Sequence, residues 1–242
     1  MQTVPIPGYS FIVTAEHATD VIPRSCIELL TGLIASSETH QIYDPGTKAI
    51  GVELASRLES SLLLGTCTRL AIDLNRSLGS ASLFSPPVFA ASEGLKIDLI
   101  NDHYAPFRCE TQQLIRKQIS AGNTVVHLSL HSFTKVFLGQ RREVDLGVLF
   151  DDQRSRESAV ARAWLRNLKR VLPDLTIREN EPYHGREDGH TTALRRQYPD
   201  SQYIGIEIEL SQELDLELDA ELYAKVIANS LLRTLTVPPS HS

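Results

Sequence analysis

Short apolar runs alternate along this chain with stretches whose apolar residues recur every three or four positions, and the two periods divide it into strands and helices. Strand-type runs fall at 9–15, 61–68, 124–131, 145–150, 175–179 and 203–210. Helical spacing fits 24–36, 46–59, most of 92–120, 153–171 and 216–234. In the last of these, Leu218, Leu222, Val226, Ile227 and Leu231 form a stripe suited to core packing. Pro106 is expected to break or kink the long central helix. Strands alternating with amphipathic helices predict an α/β fold with a mostly parallel sheet covered on both faces. No repeat or linker divides the chain, so 1–236 reads as a single domain, and only the tail 237–242 reads as disordered.

Several apolar runs end in residues that can do chemistry. Residues 11–20, FIVTAEHATD, put Glu16, His17 and Asp20 at the carboxyl end of a strand, the edge where open α/β sheets bind ligands. His17 and Asp20 can share one side of a turn, whereas Glu16 and His17 point to opposite faces unless the chain bends. Glu16 or Asp20 also suits the cap of the helix that opens near Pro23. In 124–131, TVVHLSLH, alternation puts His127, Ser129 and His131 on one face. His131 at the strand exit is the candidate ligand, while His127, deeper in the strand, reads as a hydrogen-bonded core residue. In 203–212, YIGIEIELSQ, Glu207 and Glu209 share a face. On a solvent-facing edge strand they are ordinary surface carboxylates; in a covered sheet they are desolvated neighbours whose pKa values are pushed apart, which tunes one for general-base work. In 61–76, SLLLGTCTRLAIDLNR, an apolar strand runs into Asp73-Leu74-Asn75-Arg76 with no turn-forming dipeptide. The Arg76 fork and the Asn75 amide make a carboxylate receptor, with Asp73 holding the guanidinium from behind; the plainer alternative is a surface ion pair.

Taken in chain order with Tyr43-Asp44-Pro45-Gly46, Asp145-Leu146-Gly147-Val148-Leu149-Phe150 and Asn180-Glu181-Pro182-Tyr183-His184-Gly185, these pieces resemble the N-formylglutamate amidohydrolase family, related in fold to the zinc carboxypeptidases and aspartoacylase. The resemblance runs from Ala15-Glu16-His17-Ala18 to Glu209-Leu210-Ser211-Gln212 and covers most of the chain. It implies a three-layer αβα domain of the phosphorylase/hydrolase-like, zinc carboxypeptidase type. It further implies one Zn2+ per chain held by His17, a carboxylate and His131, with Asn75 and Arg76 gripping a substrate carboxylate. Glu209 then matches the glutamate that activates water, with Glu207 beside it in an orienting or pKa-shifting role. The carboxylate ligand stays open between Asp20 and Glu16, because Ala18-Thr19-Asp20 stands where the family has asparagine after glycine or serine. Residues 102–107 match only loosely a His-rich stretch of the family. The implied reaction is metal-dependent hydrolysis of an N-acyl amino acid, N-formyl-L-glutamate giving formate and glutamate. A related hydrolase for another N-acyl or N-formyl amino acid, or a catalytically silent member binding a metal or an acid, are the alternatives.

Composition adds exclusions. With 242 residues, 42% of them hydrophobic, the chain can bury one substantial core. The formal net charge is -6 and the pairs Arg141-Arg142 and Arg195-Arg196 are isolated, so no nucleic-acid stripe emerges. The N-terminus MQTVPIPGYS lacks the marks of a signal peptide, and no apolar run reaches membrane length, so no membrane partner is expected. Cys26, Cys67 and Cys109 are widely spaced and odd in number, which suggests free thiols in a cytoplasmic protein. The loop 179–190, ENEPYHGREDGH, is too polar for a core and reads as a substrate cover, with Tyr183, His184 or Arg186 against the acyl group. Asp44-Pro45-Gly46 reads as a turn.

Overall fold

All ten residues of strand β3, Thr124–Phe133, are buried, a pattern that requires protein on both faces and a strand at each side. The computed structural model, which describes residues 6–236, supplies both. β1 (Tyr9–Ala15) and β2 (Ser61–Leu64) lie to one side of β3, and β8 (Tyr203–Ser211), β6 (Leu146–Leu149) and β7 (Ile177–Glu179) to the other, in the order β2-β1-β3-β8-β6-β7. Within this sheet every pairing is parallel except that of β6 with β8. A small hairpin, β4 (Val136–Phe137) and β5 (Gln140–Arg141), follows β3 outside this sheet.

Alternation along β3 sorts the side chains into two layers. Val126, Leu128 and Leu130 face a core shared with α3 (Thr47–Leu58), α7 (Ser155–Val171) and α9 (Ala220–Thr236). Val125 faces the other core, built with Leu30 of α1 (Ile27–Ser36), Val88 of α4 (Pro86–Phe89), Leu99 of α5 (Glu93–Leu99) and Ile115 of α6 (Ala105–Ser120). The result is a helix–sheet–helix sandwich of mixed, mostly parallel α/β type, with α2 (Thr39–Ile42) and α8 (His190–Arg195) as short loop helices. Among the described residues no helix is long and apolar enough to cross a membrane.

The structure departs from the sequence expectations at the second strand, at Pro106 and at the last helix. The second strand ends at Leu64 and not near residue 68. Gly65 donates to the Ala15 carbonyl at 2.8 Å and lies so close to β1 that a Cβ there would stand 1.9 Å from the Glu16 carbonyl oxygen. From that contact the chain leaves the sheet, so Asp73, Asn75 and Arg76 sit on a loop of turns. Pro106 does not end the helical run, which continues through α6; the irregularity it brings is a π-helical turn, Ile100–Tyr104, directly before it. The last helix begins at Ala220, which leaves Leu218 84% exposed and Leu222 half exposed; Tyr223, Ile227 and Leu231 carry the buried stripe. The expected tail at 237–242 lies outside the described residues.

Candidate active site

The odd-numbered face of β3 leads to a cavity of about 340 Å³ whose wall includes His17, Asp44, His131, Asn75, Arg76, Glu207 and Glu209. His17 follows β1 by two residues. The Asp44 backbone N–H donates to the His17 carbonyl at 2.9 Å, which fixes the loop before α3 against the end of β1. His131 and Glu209 are register partners on β3 and β8. His17, Asp44 and His131, all buried, bring two imidazole nitrogens and a carboxylate oxygen within 4.8 Å of one another, a group able to hold a metal ion.

The proton positions around that group favour a cation. His17 Nε2 lies 2.7 Å from the Asp73 carboxylate, which can only accept, so the ring N–H is there and Nδ1 is bare. Ser129 donates its hydroxyl to Glu16 at 2.7 Å, so at 2.9 Å its oxygen accepts from His131 Nε2. The two Nδ1 atoms, 3.2 and 3.0 Å from Asp44 Oδ2, then meet the carboxylate with lone pairs. A proton or a metal ion removes this conflict, and two imidazoles with one carboxylate are a zinc-type donor set whose outer nitrogens are anchored by second partners. Without a metal, burial lowers His131, but its hydrogen bond to Asp44 and the charges of Glu209 and Glu16 lift it to about 10. Burial also raises Asp44 and Asp73, and the His17 imidazole and Arg69 guanidinium outweigh it, holding both below the usual carboxylate range.

The two strand carboxylates differ. Glu207 accepts a short hydrogen bond from Thr191 Oγ1. Glu209 Oε2 is buried with no partner. Burial, reinforced by Asp44 and Glu207 against the pull of His131, pushes the Glu209 carboxyl up to about 8.

The structure brings His17, His131, Asn75, Arg76, Tyr183, Glu207 and Glu209 to one cavity. It does not bring Asp20 there. Asp20 is exposed and lines a separate cleft with Tyr43, Glu53 and Glu217; the third member of the histidine cluster is Asp44, which the sequence presented as a turn residue. Glu16 stands behind His131, 3.6 Å from its far nitrogen Nε2, with its oxygens taken by Thr14, Ser129 and His190. Asp73 does not hold Arg76 from behind. The loop turns at Asp73, whose side chain accepts from His17, Arg69 and the Asn75 backbone instead, while Arg76 Nη1 donates to the Asp188 carbonyl at 2.6 Å. Asn75 Oδ1 accepts from the His190 N–H at 2.6 Å, which turns the amide NH2 toward His131. The Tyr183 hydroxyl accepts from Arg142 at 3.2 Å. His127 is a core residue, bonded to Thr14 and Tyr203.

Arg69 is the other residue the sequence did not single out: it bridges Asp44 and Asp73 and lines the cavity. Of the loop 179–190, Tyr183, His184, Glu187 and Asp188 line the cavity, whereas Arg186 is not in its wall and pairs with Asp152. The loop is stapled by Arg195, which donates to the carbonyls of Gly185 and Gly205 and pairs with Glu157 of α7.

The sequence model of the N-formylglutamate amidohydrolase family matches residues 9–215. A search of curated proteins gives no match. Among solved structures the chain is similar to a gene product of Agrobacterium tumefaciens, at 29% identity and TM-score 0.81 over 94% of this chain and 90% of that one. It is also similar to an N-formylglutamate amidohydrolase from Ralstonia eutropha, at 17% identity and TM-score 0.67 over 95% of this chain and 94% of that one, a likeness of fold.

Proposed function

The chain belongs to the N-formylglutamate amidohydrolase family, and from that premise we propose that it is a metal-dependent hydrolase of an N-acyl amino acid, with N-formyl-L-glutamate as the substrate the family implies. The observation that carries the reading is the juxtaposition, in one cavity, of the His17–Asp44–His131 group with the buried, unpartnered carboxyl oxygen of Glu209. His17, Asp44 and His131 would hold the metal, with Zn2+ the ion best matched to these donors; when bound it supplies a Lewis acid for the acyl oxygen and a lowered pKa, toward ~7, for water.

The remaining work falls to the chain's own side chains. Arg76, tied at Nη1 to the Asp188 carbonyl, offers a positioned guanidinium for the substrate carboxylate, and the Asn75 NH2 adds a neutral donor. Glu209 takes a proton from the attacking water and returns it to the departing amine; without a metal its carboxyl sits at about 8, and a cation held beside it would favour the carboxylate form that this task needs. Glu207, bonded to Thr191, is the neighbour whose charge raises the Glu209 carboxyl. Tyr183, whose oxygen is occupied by Arg142, has its own proton to offer to a bound acyl group.

The test couples metal analysis to a formate-release assay on N-formyl-L-glutamate, with a panel of N-formyl and N-acetyl amino acids in parallel. About one divalent ion per chain and formate release that stops on chelation and returns with zinc are expected. Full turnover in metal-free protein, or failure to turn over any member of the panel at full metal loading, would refute the reading.

A further inference from the structure

Glu16 and its neighbours form a buried polar network that the reaction above does not use. Glu16, Thr14, Ser129, His127 and His190 are all fully inaccessible to solvent. Glu16 Oε1 accepts from Thr14 Oγ1 at 2.9 Å and from His190 Nδ1 at 2.8 Å, and Oε2 accepts from Ser129 Oγ at 2.7 Å. Each proton is fixed by the carboxylate at the end of the chain, which has none to give. Since Thr14 spends its proton on Glu16, its oxygen accepts from His127 Nε2 at 2.8 Å, and the bare His127 Nδ1 accepts from the Tyr203 hydroxyl at 2.7 Å. Since Ser129 spends its proton likewise, its oxygen accepts from His131 Nε2 at 2.9 Å. The donors of this chain run one way and converge on Glu16, an arrangement in which each bond polarises the next; the Asn75 Nδ2, 3.3 Å from His131 Nε2, faces that N–H as a second donor and lies outside the chain.

We propose that Glu16 is a positioning residue that, acting through Ser129, locks His131 in the Nε2–H form and so presents a bare Nδ1 to a metal held with His17 and Asp44. The inference rests on the metal-dependent reading above. A conserved-shape substitution tests it sharply, because the two Glu16 oxygens are loaded unequally. In Glu16→Gln a single oxygen remains, and it best serves the side where Thr14 and His190 both donate, which leaves the amide NH2 facing Ser129. Ser129 must then turn its proton to His131 Nε2, and the ring proton moves to Nδ1, blocking the ligand atom.

Zinc affinity is measured by competition with a chromophoric chelator on wild type, Glu16→Gln, Ser129→Ala and the double variant, with circular dichroism as a check of folding. Glu16→Gln should weaken zinc on the order of 10- to 100-fold, the scale of lost outer partners of a ligand histidine. Ser129→Ala should weaken it less. The double variant should bind as Ser129→Ala does, because without the hydroxyl the amide has nothing to reverse; a merely structural role for Glu16 gives additive losses instead. Nitrogen-15 spectra of the zinc-loaded wild type should place the His131 proton on Nε2, a readout that stands even if Glu16→Gln fails to fold. Equal zinc affinity in wild type and folded Glu16→Gln, additive losses in the double variant, or zinc bound through His131 Nε2 would each overturn the proposal while leaving the hydrolase reading intact. A wild type that binds no zinc would overturn both.

Discussion

Replacing Glu209 by glutamine should separate activity from stability, in opposite directions. Glu209 is buried, one of its oxygens lacks a partner, and its carboxyl titrates at about 8 against an ordinary 4.5. A group raised this way is charged in the unfolded chain above pH 4.5 and resists ionisation in the folded one, so folding loses stability as pH rises from there to about 8. At pH 7 the difference is on the order of 3 kcal/mol. Glutamine removes that cost but buries an amide with an unmatched donor, which costs about 1–3 kcal/mol. Metal-free Glu209→Gln should therefore be as stable as wild type, or more stable by up to ~2 kcal/mol, in urea unfolding at pH 7. Turnover of the zinc-loaded variant should fall on the order of 10²- to 10⁴-fold, the usual loss on removing a general base, with KM little changed. Stability is compared without metal, because a nearby cation favours the carboxylate and hides the effect. A variant that unfolds more easily and retains turnover would mean that Glu209 is a structural carboxylate and that the base lies elsewhere, Glu207 being next in line.

Two further outcomes follow from the site. Asp44→Asn should lose the metal while Asp20→Asn keeps it, as read by mass spectrometry of dialysed protein; the reverse result would restore the spacing of His17 and Asp20 as the ligand pair. Arg76→Ala should weaken a carboxylate substrate by about 1.5–3 kcal/mol, the worth of a charged hydrogen bond, and an uncharged amide analogue should lose little. Equal discrimination between acid and amide in wild type and Arg76→Ala would move the receptor to another residue.

Most of the architecture was legible because hydrophobic period responds directly to burial: β1, β3 and β8 lie where alternation and apolar runs put them, and the shared face of His127, Ser129 and His131 follows from the pleat. Asp44 was not legible as a cluster member. Its neighbours Pro45 and Gly46 give a sufficient local reason for an aspartate there, and its approach to His17 depends on a backbone hydrogen bond between segments 27 residues apart. Only the position of Tyr43-Asp44-Pro45-Gly46 among the family motifs hinted at more. Asp73 was misread for the converse reason. Sequence adjacency suggested Arg76 as its partner, whereas the turn at Asp73 hands its carboxylate to Arg69, four residues earlier, and to His17 from another strand end. Long-range partners of charged side chains leave no periodic trace, and the site is made of them.

Gly65 is not a member of the histidine cluster, yet the placement of His17 leans on it. A single methyl group there would collide with the Glu16 carbonyl, and what it displaces is the peptide link that joins Glu16 to His17. In a saturation mutagenesis experiment this position would be scored with the catalytic residues although it performs no chemistry. A lineage drifting under selection for turnover can exchange exposed residues of α7 or α9 freely; at Gly65 it has nowhere to go.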